Sequence, residues 1–380
     1  FSAEDFDRKA QKFADARSWG QMCLATPEDT DLSSAEQKFR NFEKNHPDIL
    51  DNLKKHADIA FYFSTKTRDY IKGSSKNMGV LSSWMQSAYF MNYSVDMVFE
   101  NDSIERLNQY PLIVLPNVAM MSENELFKFR KYAENGGKLC IIGILGLRDE
   151  NGIKRNTDNI AKNLGIGMNI SVCIKSGISA NEEKTVSCNC TYSFRDTRLN
   201  IDNIECGYIF NGAKQTSAVM KTSDGCVSGI HINVGKGEII WLANVFGNEI
   251  IQPELRPNRY FKHEIRVESP QYAVDILKKI PGQIIGSLVD NKLVRMADCP
   301  EGLIATCYMD EKAARQIIHL VNAEKTLPKE ACDVGHSDIV PAFDGSMKYM
   351  IVNDINIELR NDLKIPAKSV KIYTPEKEGL

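Results

Sequence analysis

Three apolar runs constrain this chain more than anything else in it: ADIAFYFS at 57–64, PLIVLPN at 111–117 and KLCIIG at 138–143. None alternates apolar with polar residues. Each therefore reads as a strand covered on both faces, and such strands belong to parallel sheets wrapped by helices. The stretches between them have helical spacing, with Leu81, Trp84, Met85, Ala88 and Tyr89 on one face and Leu126, Phe129 and Ala133 on another. VDMVFE at 95–100 adds a further strand. Ser122 and Glu125 form a capping box, and Gly136 supplies the left-handed stop of the helix between them. Strands alternating with helices predict an α/β, doubly wound parallel sheet, whose ligand or partner meets the carboxyl ends of the strands.

After Leu164 the pattern changes to short alternating runs up to about residue 230, an antiparallel β excursion. VGKGEIIWLANV then predicts a tight turn and a buried strand, and SPQYAVDILKKI a closing helix, so 57–285 reads as one unit. Beyond it LIATCYMD, RQIIHLVN, KYMIVNDINIELR and SVKIYTPE alternate in polarity, which predicts a small β-sandwich over 286–380. Ahead of it, residues 1–55 read as helix, strand, helix. Phe6, Ala10, Phe13 and Ala14 share a helical face, Trp19 to Ala25 reads as a strand closed by Pro27, and Ser33 with Glu36 caps the helix carrying Phe39 and Phe42. A helix at the start with nothing before it to pack against suggests a chain cut from something longer.

Composition removes several classes. A formal charge of -3, with no basic stripe interleaved with aromatics, argues against nucleic acid. The longest apolar run is about eight residues, far short of the ~20 that cross a bilayer. The ten cysteines include one C-x-C pair, Cys188 and Cys190, but no C-x-x-C and no histidine at zinc-finger spacing. Reduced thiols in a cytoplasmic protein, with no metal and no cofactor, are the expectation.

Cys140 is the one candidate nucleophile on the sheet. A nucleophile on such a sheet sits at a strained strand-to-helix elbow flanked by glycines, G-x-C-x-G in the amidotransferase form. Here the flanking residues are Lys138 and Ile142, and where the strand is expected to end, Gly143 to Gly146 enclose only Ile144 and Leu145. Cys140 is therefore expected to be buried and inert.

ADIAFYFS, YPLIVLPN, SENELFKFRKYAENGGKL and GLRDENG followed by NLGI resemble the trimerisation domain that follows the catalytic barrel in family-42-type β-galactosidases and related glycoside hydrolases. The resemblance is best over residues 57–165 and continues into GKGEIIWLANV. It implies a class I amidotransferase-like, flavodoxin-like fold without its catalytic cysteine, and a homo-oligomer, possibly a trimer. By the same resemblance, 1–55 is the last strand and helix of a (β/α)8 barrel, 57–285 the trimerisation domain and 286–380 the closing β-domain. The family's two catalytic carboxylates sit on earlier barrel strands. Retaining glycosidases need such a pair about 5 Å apart, so the chain alone is not expected to cleave its parent's carbohydrate substrate.

Residues that could line a site remain. Glu28 and Asp29 follow the presumed last barrel strand, although acidic residues there also stabilise a helix N-terminus. Trp19 and Gln21 could stack on and hydrogen-bond a sugar, or Trp19 could be core. Arg148, Asp149 and Glu150 leave the carboxyl end of KLCIIG, the functional edge of an open sheet, or form a solvated loop. His319, among apolar neighbours, reads as a satisfied core histidine, and Tyr260 with Phe261 as interface or loop cover. The expected role is oligomerisation and support of an active-site wall. The alternatives are a self-contained amidotransferase-fold hydrolase and a carbohydrate-binding module.

Overall fold

The computed structural model describes residues 13–14, 16–21, 35–70, 75–166, 171–174, 186–206, 208–211, 217–245, 278–297, 303–322 and 356–360. Its centre is a ten-stranded mixed sheet in the order Asn244–Val245, Thr197–Cys206, Val186–Phe194, Ala218–Thr222, Val227–Val234, Gly237–Leu242, Lys138–Arg148, Leu112–Met120, Ile59–Phe63 and Val95–Phe99. The last five are mutually parallel, and numbered along the chain they run 2-1-3-4-5, the order of flavodoxin-like sheets. The remaining strands continue the same sheet antiparallel.

The apolar runs bury both faces, as strands at the centre of such a sheet must. Successive residues point to opposite sides. Ile59, Phe61, Val114, Cys140 and Ile142 meet Trp84 and Ala88 of the helix Ser75–Phe90 on one side. Tyr62, Ile113, Leu115, Leu139 and Ile141 meet Leu126, Phe129 and Tyr132 of Glu123–Glu134 on the other. Each large side chain so buried contributes about 1.5–3 kcal/mol. The predicted capping box is present, with the Ser122 side chain accepting from the Glu125 backbone and Glu125 accepting from the Ser122 backbone. Between Val227–Val234 and Gly237–Leu242 the chain reverses at Gly235, whose φ is +61°. A Cβ there would stand 2.6 Å from the Glu134 backbone, so the turn can seat against the helix end only as glycine.

Two expectations fail. The strand beginning at Lys138 does not end at Gly143 to Gly146 but runs on to Arg148. Its pairing with Leu112–Met120 slips twice beyond Pro116, where Asn117, Gly143 and Gly146 take left-handed φ values of 51°, 70° and 53°. The glycines thus carry bulges in a continuing strand rather than an elbow. Trp19 is not in a strand either. It sits in a turn ending a helix, where Trp19 N–H donates to Ala16 O and Gln21 N–H to the same carbonyl. Gly20 takes a φ of 72°, the left-handed conformation that stops helices.

Both flanks of the sheet's unit meet beside its amino edge. Lys54–His56 pairs with Leu303–Asp310, which forms a hairpin with Arg315–Asn322, and Val294–Ala297 pairs with Asn356–Leu359. Asp58 ties this region to the sheet by accepting from Ser94 N–H at 3.0 Å and Leu293 N–H at 2.8 Å. Ser94 in turn donates to His56 O at 2.7 Å and accepts from Cys307 N–H at 3.1 Å. The closing helix expected over 269–280 lies mostly outside the described residues, as do Phe6, Ala10, Ser33, Tyr260 and Phe261. A π-helical turn, Lys278–Gly282, leads into the helix Gln283–Leu288.

Candidate functional site at the carboxyl edge

In a 2-1-3-4-5 sheet the crevice open to a ligand lies where the strand order reverses, here between the carboxyl ends of Ile59–Phe63 and Leu112–Met120. Polar groups of the protein itself meet here. Tyr62 OH donates to Glu125 Oε1, while Lys66 Nζ (2.8 Å) and Ser122 N–H (2.7 Å) donate to Glu125 Oε2. Burial pushes the Glu125 carboxyl up, but hydrogen bonds from Lys66, Ser122 and Tyr62 outweigh it and hold the group below its ordinary range. With both oxygens engaged, Glu125 is a latch joining a strand and two helices rather than an acid or base awaiting substrate.

The surrounding backbone is closed in the same way. Glu100 accepts from Thr65 N–H at 2.7 Å and Lys66 N–H at 3.2 Å, capping the short helix Thr65–Tyr70. Thr67 Oγ1 receives Met120 N–H at 3.0 Å, and Ser64 Oγ receives Thr67 N–H at 3.1 Å. The bulged ends of the central strands pack just as closely. A Cβ on Gly143 would lie 2.7 Å from Asn117 Oδ1, and Trp241 Nε1 donates to Gly143 O at 3.0 Å.

Arg148, Asp149 and Glu150 do lie on this edge, brought together in a turn that folds on itself. Asp149 Oδ1 accepts from Asn151 and Ile153 N–H, both at 2.9 Å, and Arg148 Nη1 donates to Gly152 O at 2.9 Å. Glu150 pairs at 3.8 Å with Arg155, which sequence reasoning missed. Arg155 donates to Met121 O and to Arg148 O, fastening the turn to the strand ends. No spacing in the sequence marks it; its hydrogen-bond acceptors are backbone carbonyls.

The other described candidates stand apart from this edge. Trp19 stacks on Tyr89 with centroids 4.9 Å apart, and Lys55 Nζ lies 4.6 Å over its ring. Tyr308 OH donates to Ser18 O at 2.8 Å beside them. Burial within this aromatic cluster lowers the Lys55 ammonium to about 8. Gln21 is exposed, and Glu28 and Asp29 lie outside the described residues. His319 is half-buried, with Nδ1 3.3 Å from Arg17 O and Nε2 3.4 Å from Ile49 O.

Cys140 is fully buried between Val114 and Ile240, and burial raises its thiol far above the ordinary range. A thiol so placed is not a nucleophile. Among the described residues no cluster of three or more His, Cys, Asp or Glu side chains could hold a metal ion, and no described helix is long and apolar enough to cross a membrane.

No curated protein matches the sequence. Several solved structures match the fold. An α-L-fucosidase isoenzyme 2 from Paenibacillus thiaminolyticus superposes with a TM-score of 0.51 at 12% identity, over 92% of this chain and 50% of that one. β-Galactosidases from Bacillus circulans sp. alkalophilus and Rahnella sp. R3 give TM-scores of 0.48 and 0.45 at 12% and 13% identity, over 73% and 72% of this chain. The chain spans 37% of the length of each of these two. By sequence, the β-galactosidase trimerisation domain matches residues 57–252, just over half of the chain and the whole parallel sheet. The chain belongs to the β-galactosidase trimerisation domain family.

Proposed function

We propose that this chain is the non-catalytic oligomerisation region of a glycoside hydrolase whose parent cleaves β-galactosides or a related sugar. The unit at 57–285 would be an amidotransferase-like trimerisation module, 1–55 the end of a TIM-barrel catalytic domain, and 286–380 a closing β-sandwich. Trp19, Gln21, Glu28 and Asp29 would help wall the parent's active site, and a cytoplasmic setting would keep the cysteines reduced. Family membership is the observation that carries the reading. The bonded Glu125, Lys66 and Tyr62 in the crevice and the buried Cys140 support it, since at neither of these two described positions is a group free for chemistry.

Sedimentation of the chain over a wide concentration range tests the proposal. A self-associating species, with three copies at saturation, is expected. A strict monomer at the highest concentration would overturn the oligomerisation role.

A further inference from the structure

Cys188 and Cys190 occupy alternate positions on the strand Val186–Phe194, so their side chains leave the same face. Their sulfurs stand 3.5 Å apart. The pairing with Thr197–Cys206 slips here: Cys188 faces Ile204 and Cys190 faces Ile201, so Asn189 alone stands opposite two residues of the partner, Asp202 and Asn203. Such a bulge bends the ladder locally. Around the pair, Asn244 Nδ2 points at Cys190 Sγ from 3.3 Å and at Cys188 Sγ from 3.9 Å, and Ser228 Oγ lies 3.9 Å from Cys190 Sγ. Asn244 is itself fully buried, and its Oδ1 has no hydrogen-bond partner. A buried amide left half-satisfied calls for an explanation, and here its donor end faces two sulfurs.

We infer that Cys188 and Cys190 form a redox-active dithiol that closes reversibly to a disulfide against small-molecule disulfides. Cys188 is half-buried and Cys190 is buried, so the outer sulfur reacts first. Its thiolate attacks one sulfur of the small disulfide, releasing one small thiol and leaving a mixed disulfide. Cys190 then loses its proton to solvent and attacks Cys188 Sγ, expelling the second small thiol. Two electrons pass to the small disulfide, and one intrachain S–S bond replaces two S–H bonds. The Cys190 thiol is raised by its hydrogen bond with Cys188 and by burial, so the inner sulfur stays protonated until the outer one has reacted. Alternate strand positions lie about 6.6 Å apart at ~3.3 Å per residue, near the upper limit of disulfide spans. The resulting bond would be strained, and strained disulfides are the readily reduced, switch-like ones.

The test equilibrates the full chain with oxidised and reduced glutathione and maps the peptides by mass. The expected product is one peptide holding both cysteines and lacking two hydrogens, restored by dithiothreitol. Cys190→Ser should halt at a glutathione adduct on Cys188, and Cys188→Ser should leave Cys190 unreacted in the folded chain. A linked peptide absent at the most oxidising ratio, stable adducts on both cysteines of the unsubstituted chain, or a metal ion co-purifying on the pair would each overturn the inference.

Discussion

The strand Ile59–Phe63 has a buried carboxylate at either end, and the two behave oppositely. Asp58, at the amino end, is fully buried and pushed up to about 6 by that burial, because its partners are the neutral N–H groups of Leu293 and Ser94. Glu125, joined to Tyr62 at the carboxyl end, is only 3% exposed, yet it is held below its ordinary range by the bonded Lys66 ammonium, Ser122 and Tyr62. Depth alone does not decide the charge of a buried acid; a cation in direct contact does. The carboxyl edge is therefore locked by a charged network, while the amino edge, where Leu293 N–H meets Asp58, is expected to respond to pH.

Removing Glu125 should break this contrast most severely. Glu125→Ala leaves Lys66 and Tyr62 OH without their shared acceptor and removes the side-chain half of the capping box, the acceptor of Ser122 N–H. The cost should be about 3 kcal/mol, modest for a buried pair because the Lys66 side chain keeps 29% exposure. Urea unfolding at neutral pH reads it as a lowered midpoint. Lys66→Met is subtler, at about 2 kcal/mol, and it reverses a sign. With its carboxyl held low, Glu125 stabilises above its ordinary value of 4.5 and loses that contribution as pH falls through its depressed folded value. Without Lys66, burial dominates and the Glu125 carboxyl rises, so the contribution should instead be lost as pH rises, as for Asp58. An unchanged acid limb in Lys66→Met would show that the neutral donors suffice.

The contrast also separates what the sequence shows from what it hides. The buried strands were legible because residues covered on both faces cannot alternate in polarity, and the Ser122–Glu125 box because both partners lie within one helical turn. The rest of the Glu125 network was not, since Tyr62 and Lys66 are 63 and 59 residues away along the chain. The end of the central strand was misplaced for the same reason. Gly143 and Gly146 signal a stop locally, but Asn117 on the neighbouring strand bulges with them and the ladder continues. Trp19 looked like strand in an apolar run, whereas the turn that holds it depends on Ala16 O and on Tyr89. Arg148 and Asp149 lie at the carboxyl end of their strand, where Arg148 donates to Gly152 O and Asp149 accepts from Asn151 N–H within the turn itself.

The smallest effect, and the one that isolates Asp58, is that of Asp58→Asn. The ordinary Asp value is 3.8 and the folded one about 6. A raised folded value means stability fully present below the ordinary value and lost as pH rises through the folded one. Through this group alone the chain should lose about 3 kcal/mol between pH ~4 and ~7, at ~1.4 kcal/mol per unit. Asparagine cannot accept from both Ser94 and Leu293 N–H, because its amide nitrogen must face one of them. Near pH 4, where protonated Asp58 can still accept from both, the variant should be weaker by about 1–2 kcal/mol. Towards pH 7 that deficit should disappear and reverse to an advantage of about 1–2 kcal/mol, because the substituted chain has no charge left to bury while the parent has lost its ~3 kcal/mol. Stability curves of the two proteins that stay parallel across this interval would show that Asp58 does not titrate there, and the pH sensitivity assigned to the amino edge would fail with it.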